Sequence, residues 1–312
     1  MGCLHQIETL TTDQLAAWAG RAAQQALKGQ VVNRISRLST ANPQWFAIHI
    51  DWQTTDLSTR KTYSWGDTAC TFPLMSTIKP FLLLYLLEHW GVEAVFQWVG
   101  AEPSDAPFNS LEQLLADQGR PRNPMINSGA IALADKLVGQ DATERCRHFC
   151  QWLNHQAECH LKLDLAMLSS VRVANNEPNQ AIASYLAQVG RIADPALTLD
   201  TYEQICCLAA TVSDLANLGT LLAYDHGPIA PPHRRIVNAL MLTCGLYEAS
   251  GVYAIRIGLP IKSGISGALL AIVPRQGAIA CYSPALDRVG NPIVGLAFIE
   301  TLAQELQLSL FG

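Results

Sequence analysis

Apolar positions recur along this chain with two different periods, and the periods divide it into three stretches. From Ile7 to Leu27 they fall at helical spacing, with Thr11 or Thr12 placed to cap the start and Gly29 to end it. Trp45–Trp52 (WFAIHIDW) alternates apolar and polar residues and predicts a strand. A turn at Asp56–Thr59 and a return strand at Lys61–Trp65 complete an antiparallel hairpin. From Val92 to about Leu242 the period is helical again, with segments at Leu111–Asp117, Ser128–Val138, Asp141–His155, Gln180–Gln188, Thr198–Thr211 and Val212–Tyr224. Strand patterning returns at Val252–Ile257, Gly267–Val273 and Ala278–Tyr282, and an amphipathic helix over Ile293–Leu308 closes the chain. Two early and three late strands predict an α/β (α+β) fold with one five-stranded antiparallel sheet, flanked by the N- and C-terminal helices. Residues 1–75 with 245–312 would form this discontinuous sheet half, and 76–244 an inserted helical half carrying the densest apolar run. Ligand clefts are expected between the halves.

Composition narrows the class. The chain has 312 residues, 49% hydrophobic and 15% charged, enough for a large core. A net charge of −5, with no basic stripe interleaved with aromatics, argues against nucleic acid as a partner. The start, MGCLHQIETL, lacks the pattern of a signal peptide, and no apolar run is long enough to span a bilayer, so no membrane partner is expected. Gln6 stands where a myristoylation signal needs Ser or Thr. Nine cysteines in a large chain without a visible secretion signal read as reduced thiols in a cytoplasmic protein. The segment from Cys146 to His160 holds three cysteines and three histidines, but its spacing matches no common zinc framework. The expected metal content is none.

The candidate chemistry lies in Thr71–His89, TFPLMSTIKPFLLLYLLEH, where Ser76 and Lys79 are spaced as Ser-x-x-Lys. On a helix these would share a face, with Lys79 one turn deeper and pointing at the hydroxyl. Burial among Phe72, Leu74, Phe81, Leu82 and Leu83 would lower the lysine pKa and let it take the serine proton. Alone, the triplet reads rather as an N-cap serine beside a snorkelling lysine. A second triplet, Lys262-Ser263-Gly264, follows the strand predicted at Val252–Ile257. Ser-x-x-Lys together with Lys-Ser/Thr-Gly marks the serine β-lactamase and penicillin-binding fold.

Longer segments narrow this further. NPMINSGAI (Asn123–Ile131), YEQICC (Tyr202–Cys207), TCGLYEASG (Thr243–Gly251), GLPIKSGISG (Gly258–Gly267) and CYSPALDRVGNPIVG (Cys281–Gly295) resemble the serine-dependent glutaminases, in order, from about Gly29 onward. The resemblance implies a β-lactamase-like fold and hydrolysis of L-glutamine to L-glutamate and ammonia through an acyl-serine. Ser76 is then the nucleophile, Lys79 its base and Tyr247 a proton relay to ammonia. The backbone N–H groups of Ser76 and Ile265 form an oxyanion hole, and Asn127, Asn179 and Tyr202 contact substrate. It also implies no cofactor, a small-molecule amide substrate, and a homodimer or homotetramer.

The chain departs from the family at the substrate pocket. An acid expected upstream of Asn179 is missing from Ser170-Val171-Arg172-Val173, and Glu177 is the one nearby carboxylate. Met75 replaces a glutamine and Arg34 a tyrosine. These changes disfavour a cation, so a serine amidase acting on another small amide is a second expectation. A catalytically weak ligand-binding relative is a third. A penicillin-recognising enzyme fits the long segments poorly.

Overall fold

The computed structural model describes residues 10–54, 59–174, 176–225, 227 and 229–312. The start of the expected N-terminal helix at Ile7 and most of the Asp56–Thr59 turn lie outside them. The first described helix, Thr12–Ala23, begins on a capping box between Thr11 and Gln14 and runs into a 3₁₀ segment, Gln24–Lys28.

The strands in chain order are β1 (Ala47–Gln53), β2 (Arg60–Gly66), β3 (Phe72–Pro73), β4 (Lys162–Leu163), β5 (Leu208–Ala210), β6 (Ile261–Ser263), β7 (Ala268–Val273) and β8 (Gly277–Tyr282). Five of them form the main antiparallel sheet in the order β2-β1-β8-β7-β6. Early and late chain segments therefore share one sheet, as the pattern predicts. Side chains of β7 and β8 alternate between two cores. Leu269, Ala271, Val273, Ile279 and Cys281 pack with the N-terminal helix and the C-terminal helix Ile293–Glu305. Ala268, Leu270, Ile272, Ala278 and Ala280 face the helical half. The helix Val212–Ala223 lies on that second face, where Gly219 comes so close that a Cβ would stand 2.6 Å from that of Ala278.

Two sequence expectations fail here. Val252–Ile257 is not a strand: Ser250–Arg256 is a helix, and the sheet's fifth member is the three-residue β6. Lys262 and Ser263 therefore lie in the edge strand itself rather than after it. Val252 and Ile255 are exposed on the helix, and so short an apolar run does not reveal its period. The expected helix Thr198–Thr211 stops at Cys206, and Leu208–Ala210 becomes β5, pairing with β3 and β4. Pairing overrides the helical propensity of Leu-Ala-Ala. It also fixes the chain before the candidate nucleophile, because Leu74 N–H donates to Leu208 O at 2.8 Å. Helices at Leu165–Val173 and Pro231–Cys244 were not among the predicted segments.

Candidate active site

Ser76 sits in a 3₁₀ turn, Met75–Ile78, that runs directly into the buried helix Lys79–Trp98. Met75 has φ +46°, a left-handed conformation costly for a residue with a Cβ and typical of functional turns. The turn is held by Leu74, the residue after β3, and by Thr77 Oγ1, which donates to Leu74 O at 2.6 Å. Gly264 passes beside it. A Cβ there would stand 2.8 Å from Leu74 O and 3.5 Å from Ser76 N, so only glycine lets the β6–β7 turn come this close. Among the described residues, neither the Ser76 nor the Ile265 backbone N–H donates to another backbone group outside regular structure.

Lys79 is fully buried with no carboxylate partner among the described residues. Its Nζ donates to Asn127 Oδ1 at 2.7 Å and to Met125 O at 3.1 Å, and lies 5.9 Å from the Tyr202 ring centre. Desolvation lowers its pKa to about 8. The predicted contact with the serine is looser than expected: among the described contacts no hydrogen bond joins Lys79 Nζ to Ser76 Oγ. Such bonds often close only when substrate is bound.

A second buried lysine stands opposite. Lys262 donates to Gly245 O (3.0 Å) and Ser263 O (2.7 Å) and lies 4.5 Å from the Tyr247 ring centre. Burial, and then the nearby charge of Lys79, push its pKa well down. Tyr247, itself at φ +57°, is packed against Phe108 with ring centres 4.8 Å apart. Burial raises the pKa of its hydroxyl, while the hydroxyls of Ser76 and Ser263 lower it in part. That hydroxyl is buried near both serines yet completes no hydrogen bond of good geometry with either.

In front of these groups opens a cleft. Ser76, Asn127, Asn179, Tyr202 and Ile265 all line it, whereas Lys79 and Tyr247 stand behind its wall. A chain of side-chain amides crosses the floor. Asn127 Nδ2 donates to Asn179 Oδ1 (2.8 Å), Asn179 Nδ2 to Asn176 Oδ1 (2.7 Å), and Asn176 Nδ2 to the Glu203 carboxylate. Tyr202 OH adds a donor to Asn127 Oδ1 at 3.3 Å. A protonated Lys79 can only donate and an ionised carboxylate can only accept, so in that state the two ends fix which way each amide points.

The sequence reading missed Phe108, Asn176 and Glu203. Glu203 directly follows Tyr202 in a helix, Pro195–Cys206, whose last five positions before its final cysteine are all buried. An acid in such a run is the signal that marks it. The reading also placed Arg172 in the pocket. Its guanidinium instead pairs with Asp200 outside the lining, while Val171 and Arg34 do line the cleft. Glu177 does not line it. Asn179 lies in the first turn of the helix Glu177–Gln188, with Asn176 at the cap position.

The Cys146–His160 segment is the amphipathic helix Ala142–Ala157 with its C-terminal turn. Cys150 Sγ donates to Leu161 O, Cys159 Sγ to Asn154 Oδ1, and His160 faces Asp214, so the side chains do not converge. No group of three metal-ligating side chains occurs among the described residues, and no described helix is long and apolar enough to cross a membrane.

Residues 29–311 match the sequence model of the glutaminase family. The chain belongs to the glutaminase family. The glutaminase of Synechocystis is 44% identical over 297 residues, covering 95% of this chain and 89% of its own. That of Alkaliphilus oremlandii is 35% identical, covering 91% and 94%. Among solved structures, a Bacillus glutaminase superposes with a TM-score of 0.86 at 29% identity, covering 96% of this chain and 99% of its own. A protein from Bacillus subtilis, titled a probable glutaminase and bound to 6-diazo-5-oxo-L-norleucine, gives 0.86 at 28%, covering 97% of each. These glutaminases are amidohydrolases of the β-lactamase-like fold, and this chain shares both class and fold.

Proposed function

We propose that this protein hydrolyses L-glutamine to L-glutamate and ammonia, with Ser76 as nucleophile. The observation that carries the reading is a fully buried lysine, its pKa lowered to about 8, one turn from a serine that lines the cleft. Neutral Lys79 takes the Oγ proton as the oxygen attacks the side-chain amide carbon. The carbonyl becomes an oxyanion received by the N–H groups of Ser76 and Ile265. As the C–N bond breaks, the proton passes through Tyr247 to the departing nitrogen, which leaves as ammonia. Water, giving its proton back along the same route, attacks the acyl-serine and releases glutamate. Asn127, Asn179 and Tyr202 hold the substrate along the cleft floor. Lys262 fixes the ring of Tyr247 and stiffens the edge strand.

The relative bound to 6-diazo-5-oxo-L-norleucine supports an amino-acid-shaped substrate. The eight described cysteines are all free, in keeping with a reducing, cytoplasmic setting. Assembly as a homodimer or homotetramer is part of the same reading, and light scattering measures it. Ammonia release from glutamine, abolished in Ser76→Ala, is the test. Release that survives this substitution removes Ser76 as nucleophile.

A further inference from the structure

Two charged side chains line the cleft, Glu203 and Arg34, and they differ in setting. Arg34 is exposed at the rim and makes no ion pair among the described residues. Glu203 is 8% exposed. One of its oxygens accepts from Asn176, and the other accepts no hydrogen bond among the described residues. A carboxylate can take about four donors, and the described residues supply this one with a single donor, leaving the second oxygen to the cleft. Among the described residues no cation forms an ion pair with Glu203: Arg172 is committed to Asp200 and its charge acts on Glu203 only in part.

We propose that Glu203, oriented by Asn176, is the subsite for the substrate's α-ammonium group. It takes the place of the acid that glutaminase-like sequences carry upstream of Asn179 and that this chain lacks. The subsite rests on the glutaminase reading above. An ammonium ion supplies the missing donors to the free carboxylate oxygen and the missing positive charge. The amide chain Asn127–Asn179–Asn176 ties this end of the cleft to Lys79 at the other. The head group and the reacting amide are thus registered by one rigid network. Arg34, on the solvent side, has the charge that suits an α-carboxylate. Burial raises the Glu203 pKa, the Asn176 hydrogen bond and Arg172 oppose this, and Asp200 adds to it. The acid lost from one helix is recovered on another, so the cleft keeps an answer to a cation despite Val171 and Arg34.

The test compares L-glutamine with glutaramate, the same amide without its α-amino group. Both are titrated calorimetrically into Ser76→Ala and into Ser76→Ala/Glu203→Gln, and glutamine kinetics are measured for the wild type and Glu203→Gln. Loss of one charge-assisted pair predicts glutamine affinity lower by about 30-fold, KM raised to match, and kcat within about threefold. Glutaramate affinity should be unchanged or improved. Glutamine affinity that holds within threefold, an equal loss for both amides, or no glutamine binding by Ser76→Ala overturns the subsite. Glu203-dependent binding by a wild type that releases no ammonia supports the subsite and sinks the reaction. Ammonia release with a KM indifferent to Glu203 does the reverse. Should Glu203→Gln fold poorly, Glu203→Asp keeps the charge but shortens the arm. An intermediate loss confined to glutamine then supports the subsite, and equal losses overturn it.

Discussion

Replacing Asn127 by aspartate changes one nitrogen to oxygen and places a carboxylate where Oδ1 lies 2.7 Å from Lys79 Nζ. If Lys79 is the base, its neutral fraction sets the rate at low pH. With a pKa of about 8, about one molecule in ten is competent at pH 7. An adjacent carboxylate raises a lysine pKa by roughly 1–3 units. A rise of about 2 units leaves roughly one molecule in a thousand competent, so kcat/KM for glutamine at pH 7 falls about 100-fold in Asn127→Asp. The loss should shrink as pH rises, because the acid limb moves from about 8 toward about 10. Ammonia release followed from pH 6 to 10 in both proteins reads the midpoints directly. Asn127 is also expected to touch substrate, so a pH-independent component is compatible with the scheme. A limb that stays at the wild-type midpoint while activity drops uniformly is not, and it would remove Lys79 as the base. A wild-type profile flat between pH 6.5 and 9 refutes it as well.

Three further outcomes follow from the same geometry. Folding lowers the Lys79 pKa, so the unfolded chain holds the extra proton. The resulting penalty, about 3 kcal/mol from a shift of this size, is present in full below pH about 8 and fades as pH rises toward the usual lysine value. Lys79→Met should therefore abolish ammonia release yet stabilise the fold at pH 7 by about 1 kcal/mol, after roughly 2 kcal/mol for the two lost hydrogen bonds. Urea unfolding at pH 7 measures this, and a large destabilisation contradicts it. Gly264→Ala drives a Cβ to 2.8 Å from Leu74 O and must move the β6–β7 turn away from Ser76. It should lower kcat about 100-fold at a cost of about 1–3 kcal/mol in stability, read by kinetics and thermal melting. Arg172→Ala removes the ion pair to Asp200 outside the cleft and a minor charge effect on Glu203, and should leave KM for glutamine within about threefold. A larger change would return Arg172 to the pocket.

Residues that must be close along the chain were legible in the sequence; residues that meet across it were legible only in part. Periodicity revealed β1, β2, β7, β8 and most of the long helices, because burying one face of an element stamps its repeat on consecutive residues. It could not reveal β5 or β6, whose three residues are too few to show a period and whose pairing partners lie far along the chain. Ser76 and Lys79 were found because one helical turn separates them. Asn127, Asn179, Tyr202, Tyr247 and Ile265 came from segments that resemble a family. Asn176 and Glu203 belong to no such segment role, and nothing local says that the Pro195–Cys206 helix turns a carboxylate toward an asparagine 27 positions earlier.

The departures at Arg34, Met75 and Val171–Arg172 read on paper as a pocket emptied of negative charge. In three dimensions Arg172 pairs with Asp200, and Glu203 stands in the cleft. Sequence alone supplied the candidates for the chemistry proposed at Ser76, since a nucleophile and its base can share one short, buried element. The tertiary structure decided the electrostatics around it, because the charge of a pocket is the sum over side chains that several helices bring to one place, and that sum has no period in the sequence.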